Sequence, residues 1–295
     1  MKFSVSSYSY AQLTESGRRT LFGCIDLAAE SGFDGIEFTD LNPPQGIDVN
    51  QYADDLRTKC RDRGLTIVCY TVGADFLTGS DGDLDAEIAR VKAQVDIAEI
   101  LGVKLMRHDA TRGFADGTRG SRGFDQALPR VIEGCRAVTE YARKKGIRTM
   151  IENHGFFCQD SDRVERVVNG VADDNFGLLV DIGNFLCADE DPVHAVSRLA
   201  PYAFHVHAKD FHVKPGTEPL LTDGYFRTRG GNYLRGAIVG HGDAKAAQSL
   251  RILKNSGYDG WITVEFEGIE DPELGTKYGL NTLRRIFGIL APIEA

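Results

Sequence analysis

Arg148-Thr-Met-Ile-Glu152-Asn-His154-Gly155 is a short apolar run that closes on a carboxylate, an amide, an imidazole and a glycine. Parallel strands covered on both faces are near-continuous apolar runs, so polar chemistry at the carboxyl end of one requires a reason. The pattern returns three times. Gly177-Leu-Leu-Val-Asp181-Ile-Gly-Asn184 ends in an aspartate, Ala203-Phe-His-Val-His207-Ala-Lys-Asp210 in a histidine, and Trp261-Ile-Thr-Val-Glu265-Phe-Glu267-Gly in a glutamate. Four successive strands each deliver one residue of a type that ligates metal.

Outward from these four, the whole chain alternates. Strands are expected at 3–7, 35–38, 65–70, 103–107, 148–152, 176–181, 203–207 and 261–266, and helices at 18–30, 50–63, 84–101, 124–145, 162–171, 192–199, 244–255 and 274–290, eight of each. Gly32, Gly64, Gly102 and Gly146 stand just past four of the helices, where a left-handed residue closes the last turn. Helix-to-strand joints are short and strand-to-helix loops long. The joint Ser31-Gly-Phe-Asp-Gly-Ile-Glu-Phe38 is echoed by Ser256-Gly-Tyr-Asp-Gly-Trp-Ile-Thr-Val-Glu-Phe266. A repeated βα unit of this kind predicts a single (β/α)8 TIM-barrel domain over residues 1–295, with its chemistry on the loops at the carboxyl ends of the strands. The alternative, an open doubly wound sheet, would not need eight units, and no GxGxxG follows the first strand.

Spacing decides what the four residues do together. Glu152 to Asp181 is 29 residues and Asp181 to His207 is 26, about one βα unit each, whereas His207 to Glu265 is 58 because of an insertion between Asp210 and His241. Taken singly, a strand-end Asp or Glu is an N-cap or a solvated loop residue. Taken jointly, four converging strand ends set three oxygen ligands and one imidazole around a point, which predicts one divalent cation. Such a donor set suits Mn²⁺ first, with Mg²⁺, Zn²⁺ or Co²⁺ accommodated. His205 shares the face of His207 but lies one layer deeper, so His207 is the expected ligand and His205 a core histidine.

The segments Glu152-Asn-His154, Val180-Asp-Ile-Gly-Asn184, His205-Val-His-Ala-Lys-Asp210, Val239-Gly-His-Gly-Asp243 and Gly257–Gly268 resemble the xylose isomerase-like TIM-barrel superfamily of sugar isomerases and epimerases. That resemblance implies that Glu152, Asp181, His207 and Glu265 hold one divalent cation and that Glu152 and Glu265 double as catalytic acid/base groups. Ketose 3-epimerases of the superfamily carry a substrate-binding His three residues after the Asp and an Arg six after the metal His. Here those positions are Asn184 and Val213, so their grip on the sugar is not carried over.

A hydroxyketone held by a cation has an acidified C–H beside the carbonyl, and positioned carboxylates can move that proton. The first expectation is therefore a metal-dependent sugar isomerase or epimerase working through an enediolate. The alternative is a lyase or dehydratase that forms the same enolate on a keto sugar or keto glycoside and expels a β-leaving group. A DNA-repair endonuclease of the same fold is more remote, since the third strand ends in Thr71 and Val72 without the histidine such a site would use.

Expected sugar contacts are His154 and Lys209, each two residues past a ligand, with Asn184, Arg107 at the end of the fourth strand and Glu37 at the end of the second. Arg107, Arg112, Arg119 and Arg122 in one loop, and Arg227, Arg229 and Arg235 in the insertion, suggest an anionic substrate group or a subunit contact, with solvated loop charge the account of most of them. A formal net charge of −9 and a pI near 5.3 argue against nucleic acid. The expected partner is a small carbohydrate, with a homo-oligomer possible. No run approaches the ~18 apolar residues of a membrane span, and the six cysteines are scattered without a CxxC pair. A reduced cytoplasmic protein is expected.

Overall fold

The computed structural model describes residues 1–115, 120 and 122–293. Eight parallel strands close a barrel: β1 (Lys2–Ser6), β2 (Gly35–Thr39), β3 (Thr66–Val72), β4 (Leu105–His108), β5 (Arg148–Glu152), β6 (Phe176–Asp181), β7 (Ala203–Ala208) and β11 (Trp261–Val264), with β11 pairing back to β1. Around it lie α2 (Leu21–Ser31), α3 (Val49–Asp62), α4 (Leu84–Leu101), α5 (Phe124–Arg143), α6 (Ser161–Val171), α7 (Pro192–Leu199), α8 (Ala246–Asn255) and α9 (Pro272–Ile286). The expected (β/α)8 barrel is the observed fold.

Two features go beyond the expectation. A five-residue helix α1 (Ala11–Glu15) precedes α2, and the insertion after β7 folds into a three-stranded antiparallel sheet of β8 (Asp210–Lys214), β9 (Phe226–Arg227) and β10 (Tyr233–Ala237). Helix starts move for local reasons. The Thr20 hydroxyl accepts from the Gly23 N–H at 3.2 Å, so α2 begins at Leu21 rather than at residue 18. Gly32 ends it in the left-handed region at φ 86°.

The main core lies between the barrel and its helices, and the barrel interior is filled in layers. Met150 and Leu179 stand two residues before Glu152 and Asp181, on the same inward side, and form an apolar floor with Val68, Cys69, Phe204 and Trp261. Above that comes a polar layer in which Ser4 meets Thr263 at 2.6 Å and Thr263 meets His205 at 2.9 Å. The strand-end residues form the top layer.

Candidate metal centre

Strand register explains how the four ends meet. Glu152 pairs with Leu179 rather than Asp181, Asp181 pairs with His207, and His207 pairs with Thr263 rather than Glu265. The residues thus climb along the ladder from β5 to β11, and the tilt and stagger of a closed barrel bring them back to one height. One ligand atom from each of Glu152, Asp181, His207 and Glu265 lies within 4.8 Å of the others. His207 Nδ1 is 3.3 Å from Glu265 Oε2, 3.7 Å from Glu152 Oε1 and 3.9 Å from Asp181 Oδ2, yet it and Asp181 Oδ2 are buried with no hydrogen-bond partner. Buried polar atoms are nearly always satisfied. Two orphans facing each other across a set of carboxylates fit a divalent cation, whose bonds of about 2.0–2.2 Å place neighbouring donors roughly 3 Å apart.

Each of these side chains is aimed by a neighbour. Asp181 uses its two oxygens differently: Oδ1 accepts the N–H groups of Gly183 and Asn184 at 2.8 and 2.9 Å, fixing the turn after β6, while Oδ2 is left to the centre. Gly183 is required by space, since a Cβ there would lie 2.7 Å from the Lys209 carbonyl oxygen. Asn153 ties the ends of β5 and β6 together, donating to Asp181 O and accepting from Asp181 N, both at 2.9 Å.

Glu37 takes one of two expected roles. A distal sugar hydroxyl and a structural role are equal expectations for it, and its side chain is fully buried in the layer beneath the centre, in the structural role. Its carboxylate takes His207 Nε2 at 2.9 Å and His205 Nε2 at 3.0 Å. Burial would raise the Glu37 carboxyl, but the two imidazoles bring it down to about 2. Glu37 therefore orients His207 so that Nδ1 faces the centre, the usual service of a carboxylate behind a ligating histidine.

Two cations flank the acids. Arg107 donates through Nη2 to Glu152 Oε2, through Nη1 to Val72 O at 3.2 Å, and pairs with Asp109 at 3.1 Å. Lys209 Nζ lies 2.6 Å from Glu265, 3.3 Å from Glu267 and 3.5 Å from Asp181. Asn184 bridges them, donating to Glu152 Oε1 at 3.0 Å and accepting from Lys209 at 3.3 Å. Burial alone would raise Glu152 and Glu265, but Arg107 with His207 outweighs it at the first and Lys209 with His207 at the second, so both stay well below the usual carboxylate range. Arg107, Asn184 and Lys209, expected as sugar contacts, are here engaged with the carboxylates of Glu152 and Glu265.

His154 is placed differently. Its Nδ1 lies 2.9 Å from Asp109 Oδ1, which leaves Nε2 for the cavity that the ring lines, and the side chain is 37% exposed. Burial lowers its basicity and Asp109 more than restores it. Asp109, missed in the sequence because it lies one residue past β4, links His154 to Arg107 and so to Glu152.

Over the centre lies a cavity of about 330 Å³ lined by Glu152, Glu265, His207, Arg107, His154, Tyr8 and Thr71, and beside it one of about 420 Å³ reaching Phe156, Asn184, Phe226 and Arg227. Arg112, His154, Lys209 and Glu267 line both. Tyr8 and Glu267 were also missed. Glu267 had a signal, being two residues past Glu265 and on its side; Tyr8, just past β1, had none. Of the loop arginines, Arg119 lies outside the described residues.

Among the described residues no helix is long and apolar enough to cross a membrane. The inosose dehydratase of Geobacillus thermodenitrificans is 24% identical to this chain over 275 residues, 89% of this chain and 86% of that protein. The D-psicose 3-epimerase of Clostridium cellulolyticum H10 has a similar fold, with a TM-score of 0.72 at 16% identity over 97% of this chain and 99% of that one. A xylose isomerase-like TIM barrel protein from Mycobacterium smegmatis, solved in complex with magnesium, gives 0.71 at 17% identity over 98% of each chain. The family described as xylose isomerase-like TIM barrel matches residues 25–286, and the chain belongs to that family.

Proposed function

We propose that the protein is a metal-dependent dehydratase of a polyhydroxylated ketone, a keto sugar or keto cyclitol, rather than the isomerase or epimerase put first from the sequence. The observation that carries this reading is the His154–Asp109 pair. Glu152 has both oxygens engaged, by Arg107 and Asn184, and Glu265 is held by Lys209. His154 Nε2 is an acid/base atom open to the cavity and held by no other side chain among the described residues. The dehydratase name of the relative in Geobacillus supports the same choice, as does the absence here of the His and Arg expected of ketose 3-epimerases, since Asn184 binds Glu152 and Val213 lies on the added sheet with its N–H on Asp243 at 2.8 Å.

A divalent cation at the centre, manganese first, would polarise the ketone and acidify the adjacent C–H. Glu152, Asp181, His207 and Glu265 would hold it. His154 Nε2 then removes the proton from the carbon beside the ketone. The C–H pair becomes the new C=C bond as the C–O bond to the β-hydroxyl breaks, and His154 returns the proton to that oxygen, which leaves as water. Asp109 stabilises the imidazolium in between. Lys209 and Arg107 offer donors to ring oxygens. Six free, buried cysteines support a reducing, cytoplasmic setting.

The test is a panel of keto sugars and keto cyclitols incubated with Mn²⁺-loaded protein in D₂O. An unsaturated product lacking one water is expected, and His154→Ala should cut its formation by about 10² or more while retaining Mn²⁺. A product epimeric with its substrate, or full turnover by His154→Ala, would overturn the reading.

A further inference from the structure

The cavity over the centre is at the small end for ligand sites, and the adjoining outer cavity is larger. Segments outside the barrel strands build the outer one: β9 brings Phe226 and Arg227, the loop after β4 brings Arg112, and the loop after β5 brings Phe156. Phe156 holds a left-handed φ of 63° and is 42% exposed, with its N–H bound to Gln159. A bulky residue keeps such a conformation only where its surroundings fix it. The wall is therefore built rather than incidental.

Charge accounting says what it is for. Arg107 is spent on Glu152 and Asp109, Arg229 on Asp160 at 2.7 Å, and Arg235 faces Glu270 at 3.6 Å. Arg112 and Arg227 have no carboxylate in ion-pair reach among the described residues, and both line the outer cavity. Arg227 is held in place by donating to the Tyr233 hydroxyl at 3.0 Å and stacking 5.1 Å over its ring. In a chain of net charge −9, two guanidinium groups left unmatched at one cavity call for an anion from outside. Their planar forks match carboxylate and phosphate oxygens.

We propose that the outer cavity receives an oxyanion, a carboxylate or phosphate, carried on a substituent of the substrate ring, with Arg112 and Arg227 as the specificity-determining residues. The proposal rests on the polyol-ketone reading of the inner cavity. Binding of unreactive probes to the Mn²⁺-loaded protein by calorimetry tests it apart from catalysis: D-glucose as the neutral probe, D-glucuronate for the carboxylate and D-glucose 6-phosphate for the phosphate. At least one charged probe should bind about ten-fold or more tightly than D-glucose, the tighter of the two naming the anion, and the advantage should shrink with ionic strength. The Arg112→Gln/Arg227→Gln double variant should bring the ratio of charged to neutral affinity close to one, with Mn²⁺ uptake as its folding control. Equal affinities in the wild-type protein, or a ratio unchanged in the folded double variant, would overturn the proposal; the wild-type comparison decides alone if the variant does not fold. Failure of the dehydratase reading looks different, as no water lost from any ketone, charged or neutral.

Discussion

At the scale of single residues, the site depends on side chains whose two polar atoms do two jobs. Asp181 spends Oδ1 on a turn and Oδ2 on the centre; His207 spends Nε2 on Glu37 and Nδ1 on the centre. His108 is the contrasting case, a histidine with one job. Its Nδ1 meets the Asp109 carbonyl at 2.9 Å, its Nε2 is buried without a partner, and Phe76 and Phe176 pack around the ring. Burial lowers its pKa from 6.5 to about 4. Between those values the unfolded chain binds a proton that the folded protein refuses, so stability rises with pH across that window and falls as pH drops from 6.5 towards 4. His108→Asn keeps a donor for the carbonyl and removes the titration. Urea unfolding should show the acid-side loss between these pH values reduced, by on the order of 3 kcal/mol in full; an unchanged slope would place that loss elsewhere.

At the scale of elements, the added sheet hangs from one buried carboxylate. Asp210, at the start of β8, accepts the N–H groups of Phe211, Gly240, Gly242 and Ala244 at 2.9–3.0 Å, pinning the loop that returns from β10 to α8. Asp210→Ala leaves several of these donors buried and unpaired. Stability should fall by at least about 3 kcal/mol, read as a lower denaturation midpoint, whereas a loss under about 1 kcal/mol would mean that water replaces the carboxylate. The sheet itself was not legible in the sequence. β9 is two residues long and stands among turn-forming residues, so no alternating run announces it. The barrel strands were legible because both of their faces are buried. Glu152, Asp181, His207 and Glu265 stood out as exceptions at the ends of apolar runs. Glu37 has the same appearance, but its depth is set by how β2 and β7 stand across the barrel, which spacing along one chain does not encode. Asp109 and Tyr8 lie just beyond strand ends, where direction is fixed by loop conformation rather than by period.

At the scale of the whole molecule, the barrel gathers three acids, a histidine, Lys209 and Arg107 into one buried cluster, and their arrangement makes sense around a divalent cation. The measurement that tests this most directly is a Mn²⁺ titration of metal-stripped protein, wild type against Asp181→Asn, with free ion followed by electron paramagnetic resonance. Asparagine keeps the acceptor that holds the Gly183 turn and replaces only Oδ2, the oxygen that faces the centre, with an amide nitrogen. The wild-type protein should bind one Mn²⁺ per chain, and the variant, still folded, should bind it about 10²-fold or more weakly, at least the loss that follows from disturbing groups around a metal. A folded Asp181→Asn protein that takes up one Mn²⁺ with wild-type affinity would contradict the account.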